Sequence, residues 1–331
     1  MTLRAGCDRI IDYMRISVTD RCNFRCRYCM PAEGIECKPR EEILSYEDII
    51  KVARISAEEG ITSFRLTGGE PLTRKGIDSL ISALADLPGC EEVTMTTNGY
   101  LLEKKAEKLA EAGLSRVNVS LDTLSREKFA KITRVDGFDE VMQGISAAEE
   151  AGLKPVKINV VVMDGINDEE IIDFVCFARD ENLHVRFIEY MPFYEIGCKD
   201  CDSDESRTVS LNRVKQQINK KFTLIPQNDT AGRGPAEVFS FQGSSGLIGF
   251  ISPVSGSICA GCNRFRLTAD GYLRPCLARE EEINIFRDGK LFDEEEIRAA
   301  LYVAAREKPE RGFEKKSGAE NCRRNMSQIG G

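Results

Sequence analysis

Six short β-branched or apolar runs, each followed by a stretch of helical period, organise this chain from Met14 to Glu189. The runs are Met14 to Val18, Ser63 to Thr67, Glu92 to Thr97, Arg116 to Leu121, Val156 to Met163 and Val185 to Glu189. Helical candidates lie near Ser45 to Glu58, Gly76 to Ala85, Glu103 to Ala112, Ser125 to Ile132, Asp139 to Ala151 and Asp168 to Glu181, with a further one over Leu211 to Lys220. Strands that alternate with helices predict βα units and a parallel sheet, because parallel neighbours need a long crossover. Six units fall short of a closed TIM barrel. The expected fold is therefore α/β, an incomplete TIM-type (β/α)6 barrel.

The polar and glycine-rich segments fall where a barrel would use them. Thr67-Gly-Gly-Glu-Pro71, Thr96-Thr-Asn-Gly99, Ser120-Leu-Asp122 and Glu189-Tyr-Met-Pro192 each follow a strand. Loops after strands carry the ligand-binding residues of such folds, so these distant positions are expected to meet at one mouth. From about Lys221 the alternation is lost, and Gly232-Arg-Gly-Pro235 and Gly243-Ser-Ser-Gly246 read as turns or linkers. The expected division is residues 1–222 as the partial barrel and 223–331 as a C-terminal region.

Thirteen cysteines and a single histidine then narrow the chemistry. Without a signal peptide, that odd cysteine count favours metal ligation in a reducing compartment over a disulfide framework. One histidine leaves zinc catalysis by histidines and Ser-His-Asp chemistry without their imidazoles. That residue, His184, sits in the apolar run Leu183 to Ile188 and reads as a core or strand-end histidine. Cys22, Cys26 and Cys29 form a C-x3-C-x2-C triplet with no nearby fourth. Three thiolates on a 4Fe-4S cluster leave one iron open to a small molecule. Cys259, Cys262 and Cys276 form a second triplet, C-x2-C-x13-C. It suits a second open 4Fe-4S cluster, the alternative being a structural zinc completed by a distant thiolate such as Cys322. Cys198 and Cys201 form a CxxC flanked by Asp200, Asp202, Asp204 and Glu205, acids that disfavour a reactive thiolate.

The formal charge of −8 argues against general nucleic-acid binding, so an anionic substrate needs a local cationic cluster. Arg264 and Arg266 alternate, and on an extended segment both point the same way, as a phosphate clamp requires. Arg15, Arg65, Lys157 and Arg186 lie within or at the ends of the predicted strands. Buried strand positions rarely hold unpaired cations, so several converging on one cavity imply an anion inside. The N-terminal stretch is interrupted by Arg4, Asp8, Arg9 and Asp12, and no run approaches the ~18 apolar residues of a membrane span. A cytoplasmic protein is expected.

The segment Thr19-Asp-Arg-Cys-Asn-Phe-Arg-Cys-Arg-Tyr-Cys-Met30 resembles the signature of radical S-adenosylmethionine (SAM) enzymes. With Arg65-Leu-Thr-Gly-Gly-Glu-Pro71, Asn118-Val-Ser-Leu-Asp122, Gly165-Ile-Asn-Asp168, Arg186-Phe-Ile-Glu-Tyr-Met191, Phe250-Ile-Ser-Pro-Val-Ser255, the second triplet and the terminal Gly330-Gly331, nearly the whole chain resembles one family. It is the GTP 3',8-cyclases of molybdenum cofactor biosynthesis, the MoaA family.

That resemblance implies two 4Fe-4S clusters and SAM as cofactors. Cys22, Cys26 and Cys29 would hold the SAM cluster, and Tyr28, Gly69, Glu70, Ser120 and Met191 would line the SAM site. Cys259, Cys262 and Cys276 would hold the auxiliary cluster, in a C-terminal region that closes the barrel mouth. Arg15, Arg65, Thr96, Lys157, Arg186, Arg264 and Arg266 would bind GTP. Arg264, Arg266, Gly330 and Gly331 would serve catalysis, the diglycine tail reaching into the site. The implied reaction takes H3' of GTP with a 5'-deoxyadenosyl radical and joins C3' to guanine C8, giving 3',8-cyclo-7,8-dihydro-GTP. A low-potential electron donor and handover of the product to cyclic pyranopterin monophosphate synthase are implied, a homodimer is compatible, and neither nucleic acid nor membrane enters. The segments Phe193 to Cys201 and Ala278 to Ile283 depart from the family pattern. The competing enzyme is a peptide-modifying radical SAM protein with an auxiliary cluster. The competing non-enzyme, an electron carrier or zinc-stabilised binding module, leaves Gly68-Gly-Glu70 and the cations without a use.

Overall fold

Alternation of side chains along each strand builds the barrel wall. In β1 (Tyr13–Ser17), Met14 and Ile16 are fully buried in the main apolar core, while Tyr13 and Arg15 line an interior cavity. The same rule runs through β2 (Ser63–Thr67), β3 (Glu92–Thr97), β4 (Arg116–Ser120), β5 (Lys157–Val162) and β6 (His184–Glu189). Phe64, Leu66, Val93, Met95, Val117, Val119, Ile158, Val160, Val185 and Phe187 join that core, and Arg65, Thr96, Asn118, Asn159 and Arg186 line the cavity from between them. Burying each such large apolar side chain contributes roughly 1.5–3 kcal/mol, which fixes the strand faces. The computed structural model describes residues 2–191, 207–227, 234–256, 258–312 and 324–330.

The crossovers are α1 (Tyr46–Glu58), α2 (Ile77–Ala85), α3 (Ala106–Glu111), α4 (Arg126–Thr133), α5 (Phe138–Glu150) and α6 (Ile171–Asp180). Helix α1 starts at Ser45, whose hydroxyl accepts from Asp48 N–H while the Asp48 carboxylate accepts from Ser45 N–H. That reciprocal cap satisfies two donors the first turn would leave bare. Its buried face, Ile49, Val52, Ala53 and Ile55, has the i, i+3, i+4 spacing of a helix packed on a sheet.

All six expected strands and seven expected helices are present, α7 spanning Leu211–Asn219. The sheet is nevertheless larger than the six-strand expectation. It continues into β7 (Leu224–Gln227), β8 (Glu237–Phe241), β9 (Leu247–Ile251), β10 (Arg264–Leu267), β11 (Tyr272–Arg274) and β12 (Ile283–Asn284). Strand β9 pairs parallel with β6, and β10 pairs parallel with β1, so eight parallel strands run in the order β10-β1-β2-β3-β4-β5-β6-β9. Antiparallel strands finish each flank, β8-β7 on one side and β11-β12 on the other. The edges β12 and β7 do not pair, so the barrel stays open.

After the small hairpin β13 (Phe286–Arg287) and β14 (Lys290–Leu291), helix α8 (Glu294–Arg306) packs beside α1. Arg298 reaches Glu58 and Glu59, and Tyr302 Oη donates to Glu59 at 2.6 Å. The last element is the short α9 (Met326–Ile329). Among the described residues no helix is long and apolar enough to cross a membrane.

Candidate active site

Because β1 to β6 run parallel, their following loops gather at one end of the sheet. The loop after β1 carries the first cysteine triplet, and the glycine pair after β2 holds it in place. Gly69 N–H donates to Thr19 O at 2.7 Å and Glu70 N–H to Arg21 O at 2.8 Å. A Cβ on Gly69 would lie 2.3 Å from Arg21 O, so only glycine permits this approach. Cys22, Cys26 and Cys29 then face a cavity of about 380 Å3. Burial pushes the Cys22 thiol up to about 11 and the Cys29 thiol up to about 12, and raises Cys26 well above the usual thiol range. Three buried thiols that disfavour charge alone fit a cationic group shared between them, since metal ligation requires thiolates.

Around that triplet, the Glu70 carboxylate accepts from Leu72 N–H at 3.0 Å, Thr97 Oγ1 at 2.8 Å and Asn98 N–H at 2.7 Å. Burial still lifts its carboxyl to about 7 against those three donors. Tyr28 Oη donates to Asp122 at 2.6 Å, and Gly69, Ser120 and Met191 line the same wall.

The second triplet faces the same cavity from the C-terminal segment. Cys259 and Cys262 precede β10, Cys276 follows β11, and all three line it. Arg9 braces this corner through the carbonyls of Cys259 at 2.8 Å, Lys308 at 3.2 Å and Pro309 at 3.0 Å. Burial would raise the Cys262 thiol, but Lys308 and Arg264 outweigh it and hold it at about 7. Gly312 N–H donates to Cys259 Sγ at 3.2 Å. Among the described residues no three His, Cys, Asp or Glu side chains converge as a single chelated ion requires. A cluster makes a different demand, because each thiolate takes its own iron.

The cations lie between the triplets along the inward faces of the strands. Register sets Arg15 beside Arg65 on one side and Arg266 on the other, Asn118 beside Lys157, and Asn159 beside Arg186. Arg15, Arg65, Thr96, Lys157, Arg186, Arg264 and Arg266 all line the cavity. Burial and mutual repulsion lower Arg15 and Arg65, and bring Arg186 to about 9, Arg266 to about 10 and Lys157 to about 7. Guanidiniums do not titrate away, so these shifts mark an interior that favours an anion. Arg186 Nε and Nη2, Thr96 Oγ1, Asn118 Oδ1 and Asn159 Oδ1 are buried without hydrogen-bond partners, as groups awaiting a polar ligand would be.

Every site residue expected from the sequence thus borders this cavity except the diglycine. Gly330 sits just behind it, at φ +71° against Thr67 and Ser17, and its carbonyl accepts from Arg266 Nη1. Gly331, Cys198, Cys201 and Cys322 lie outside the described residues. Sequence reasoning missed Arg116, Asn118, Asn159, His184, Met326, Ser327 and Lys308. Asn159 and His184 share strand parity with Lys157 and Arg186, and Arg116 and Asn118 with Ser120, and that parity was the available signal. His184 begins β6 and faces the cavity, kept neutral with its imidazole lowered to about 4 by burial, Lys157 and Arg186.

An open parallel barrel with a C-x3-C-x2-C loop after its first strand and a Gly-Gly-Glu loop after its second defines a radical SAM protein. A model described as "Radical SAM superfamily" matches residues 16–178, and one described as "Molybdenum Cofactor Synthesis C" matches residues 183–314. GTP 3',8-cyclases of Petrotoga mobilis and Moorella thermoacetica are each 47% identical to this chain, over 98% of both proteins. That of Thermodesulfovibrio yellowstonii is 48% identical over 92% of this chain and 93% of its own length. The chain belongs to the GTP 3',8-cyclase family. Among solved structures, Streptococcus suis SuiB bound to its precursor peptide SuiA shares the fold at TM-score 0.62 and 18% identity, over 90% of this chain and 68% of SuiB.

Proposed function

We propose that this chain is a radical SAM lyase that converts GTP to 3',8-cyclo-7,8-dihydro-GTP, the first step of molybdopterin biosynthesis. The observation that carries this reading is the meeting of two cysteine triplets and a set of cations in one cavity. Cys22, Cys26 and Cys29 would hold the SAM cluster, and Cys259, Cys262 and Cys276 a second cluster. When bound, the cluster and SAM supply the radical that removes the ribose H3' hydrogen.

The chain's own residues position and shield. Glu70 can accept from the SAM ammonium group, with Tyr28, Gly69, Ser120 and Met191 around the rest of SAM. Arg15, Arg65, Lys157, Arg186, Arg264 and Arg266 would clamp the triphosphate, while Thr96 offers a hydroxyl beside them. Such remote binding energy holds the reacting ribose in place and offsets its lost freedom. Gly330 and Gly331 would reach into the site beside Arg266, which limits water at the radical centre. Arg264 and Arg266 thus serve both substrate and catalysis. We assign residues 1–222 to SAM chemistry and 223–331 to the auxiliary site. A low-potential electron donor, handover to cyclic pyranopterin monophosphate synthase, and work in a reducing cytoplasm belong to the same reading.

The test is anaerobic. Reconstituted, dithionite-reduced protein receives SAM and GTP deuterated at C3', and products are followed by mass spectrometry. Deuterium in 5'-deoxyadenosine together with a cyclised guanine product is expected. SAM cleavage without deuterium transfer would remove GTP as substrate.

A further inference from the structure

We propose that Arg324 is a positioning residue that docks the segment Arg324–Gly330 at the cavity and so holds Ser327 in the wall that it shares with Cys29. This rests on Cys29 being a ligand of the SAM cluster.

The segment is gripped at both ends. At its start, Arg324 Nη1 donates to the two Asp270 oxygens at 2.9 and 2.8 Å, and Arg324 Nε and Nη2 reach Glu282 Oε2 at 3.1 and 2.9 Å. The guanidinium also lies 4.7 Å from the Tyr272 ring centre. Asp270 and Tyr272 belong to the turn into β11, and Glu282 precedes β12 and is also held by the buried Arg274. One planar fork therefore clasps the β10–β11 turn and the start of β12 in three places, which a lysine's point charge cannot do. At the far end, Ile329 is 1% exposed, and Arg266 Nη1 donates to the carbonyls of Ile329, at 3.2 Å, and Gly330.

Between these grips the segment reaches the first triplet. At the start of α9, Asn325 N–H donates to Gln328 Oε1 at 3.0 Å and Gln328 N–H donates to the Asn325 carbonyl at 2.9 Å. Met326 and Ser327 join the wall of the cavity that Cys29 faces. Ser327 itself is 3% exposed, lines the cavity, and leaves its Oγ buried without a partner. The wall around a cluster's ligands sets its polarity and solvent access, and with them its reduction potential. Arg324 lies outside the cavity lining, so replacing it should unmoor the segment, with Met326 and Ser327, without altering any lining side chain on the strands.

The experiment uses the full chain with reconstituted clusters, as Arg324→Ala, Arg324→Lys and, to guard against misfolding, Glu282→Gln. It reads iron content, hydrogen exchange at residues 325–330, the electron paramagnetic resonance signal of the SAM cluster, and kcat and KM for GTP. In Arg324→Ala we expect parental iron content, exchange at 325–330 faster by about tenfold or more, and a changed cluster signal. We also expect kcat lower by about tenfold or more with KM for GTP little changed, and only partial recovery in Arg324→Lys. Parental exchange rates in Arg324→Ala and Glu282→Gln would overturn the docking role. Faster exchange with a parental cluster signal and kcat would overturn the positioning role. Full iron content in Cys29→Ser would instead overturn the ligand reading, which the exchange data do not depend on.

Discussion

Lys157 should make GTP binding depend on pH. Burial, then Arg116, Arg186 and Arg65, depress its ammonium to about 7 in the ligand-free cavity. A bound triphosphate brings negative charge beside it and should return it toward the ordinary ~10.4. Binding then takes up a proton wherever the free enzyme has lost one, so affinity falls as pH rises above about 7. With those two values, affinity drops about eightfold between pH 7.5 and 8.5, above the ~6 second pKa of a phosphate and below the range where guanine N1 loses its proton. The assay is calorimetric titration of GTP into anaerobic holoenzyme in two buffers of different ionisation enthalpy, which counts the proton directly. Arg186 and Arg266 also face this region, but as guanidiniums they stay charged over that range. Lys157→Met should bind GTP more weakly at pH 7.5 and lose the slope. A parental affinity that is flat with pH, or a slope that survives in Lys157→Met, would refute the argument.

Three further outcomes follow from the same geometry. Arg186→Met removes a buried guanidinium with two unpartnered nitrogens, so GTP affinity should fall ~10- to 100-fold while the ligand-free melting temperature holds or rises, measured by titration and calorimetry. Cys22→Ser and Cys262→Ser should each lower iron from roughly eight to roughly four per chain, and only Cys22→Ser should end reductive SAM cleavage. Gly330→Ala forces a side chain into φ +71° with its Cβ 2.9 Å from Thr67 Cγ2. The left-handed backbone alone costs ~1–2 kcal/mol, so hydrogen exchange of residues 325–329 should rise with no change in global melting.

The parts of this molecule that were legible in the sequence are those with a local repeat. Strands β1 to β6 announce themselves because each is followed by a helix of matching period. Strands β9 and β10 carry no such helix, so Leu247–Ile251 and Arg264–Leu267 read as features of a separate region although they extend the same sheet. The cysteines and the Arg264/Arg266 pair were legible from spacing alone. Asn118 and Asn159 were legible only through parity with Ser120 and Lys157, because a neutral amide in a strand carries no signal of its own. Arg116 and His184 stand two residues from Asn118 and Arg186, so strict parity would have found both. Lys308 and Arg324 could not be found that way. Each meets its partners, Cys262 for one and Asp270 and Glu282 for the other, only through tertiary folding.

The cationic interior explains why this barrel remains open. A closed barrel of eight parallel strands fills its centre with interdigitated side chains and keeps ligands to its mouth. Here the inward positions of β1, β2, β4, β5, β6 and β10 carry Arg15, Arg65, Arg116, Lys157, Arg186, Arg264 and Arg266. Glu92 answers this set through its pairing with Arg116. Such residues cannot pack dry against one another, since like charges held close together out of water repel and lose hydration. Antiparallel flanks on β9 and β10 end the sheet before it closes, leaving the interior as a cleft that a polyanion can enter. The same charges that make the empty cavity costly then become the source of substrate affinity. Selection for binding and selection for stability therefore act in opposite directions on one set of strand positions.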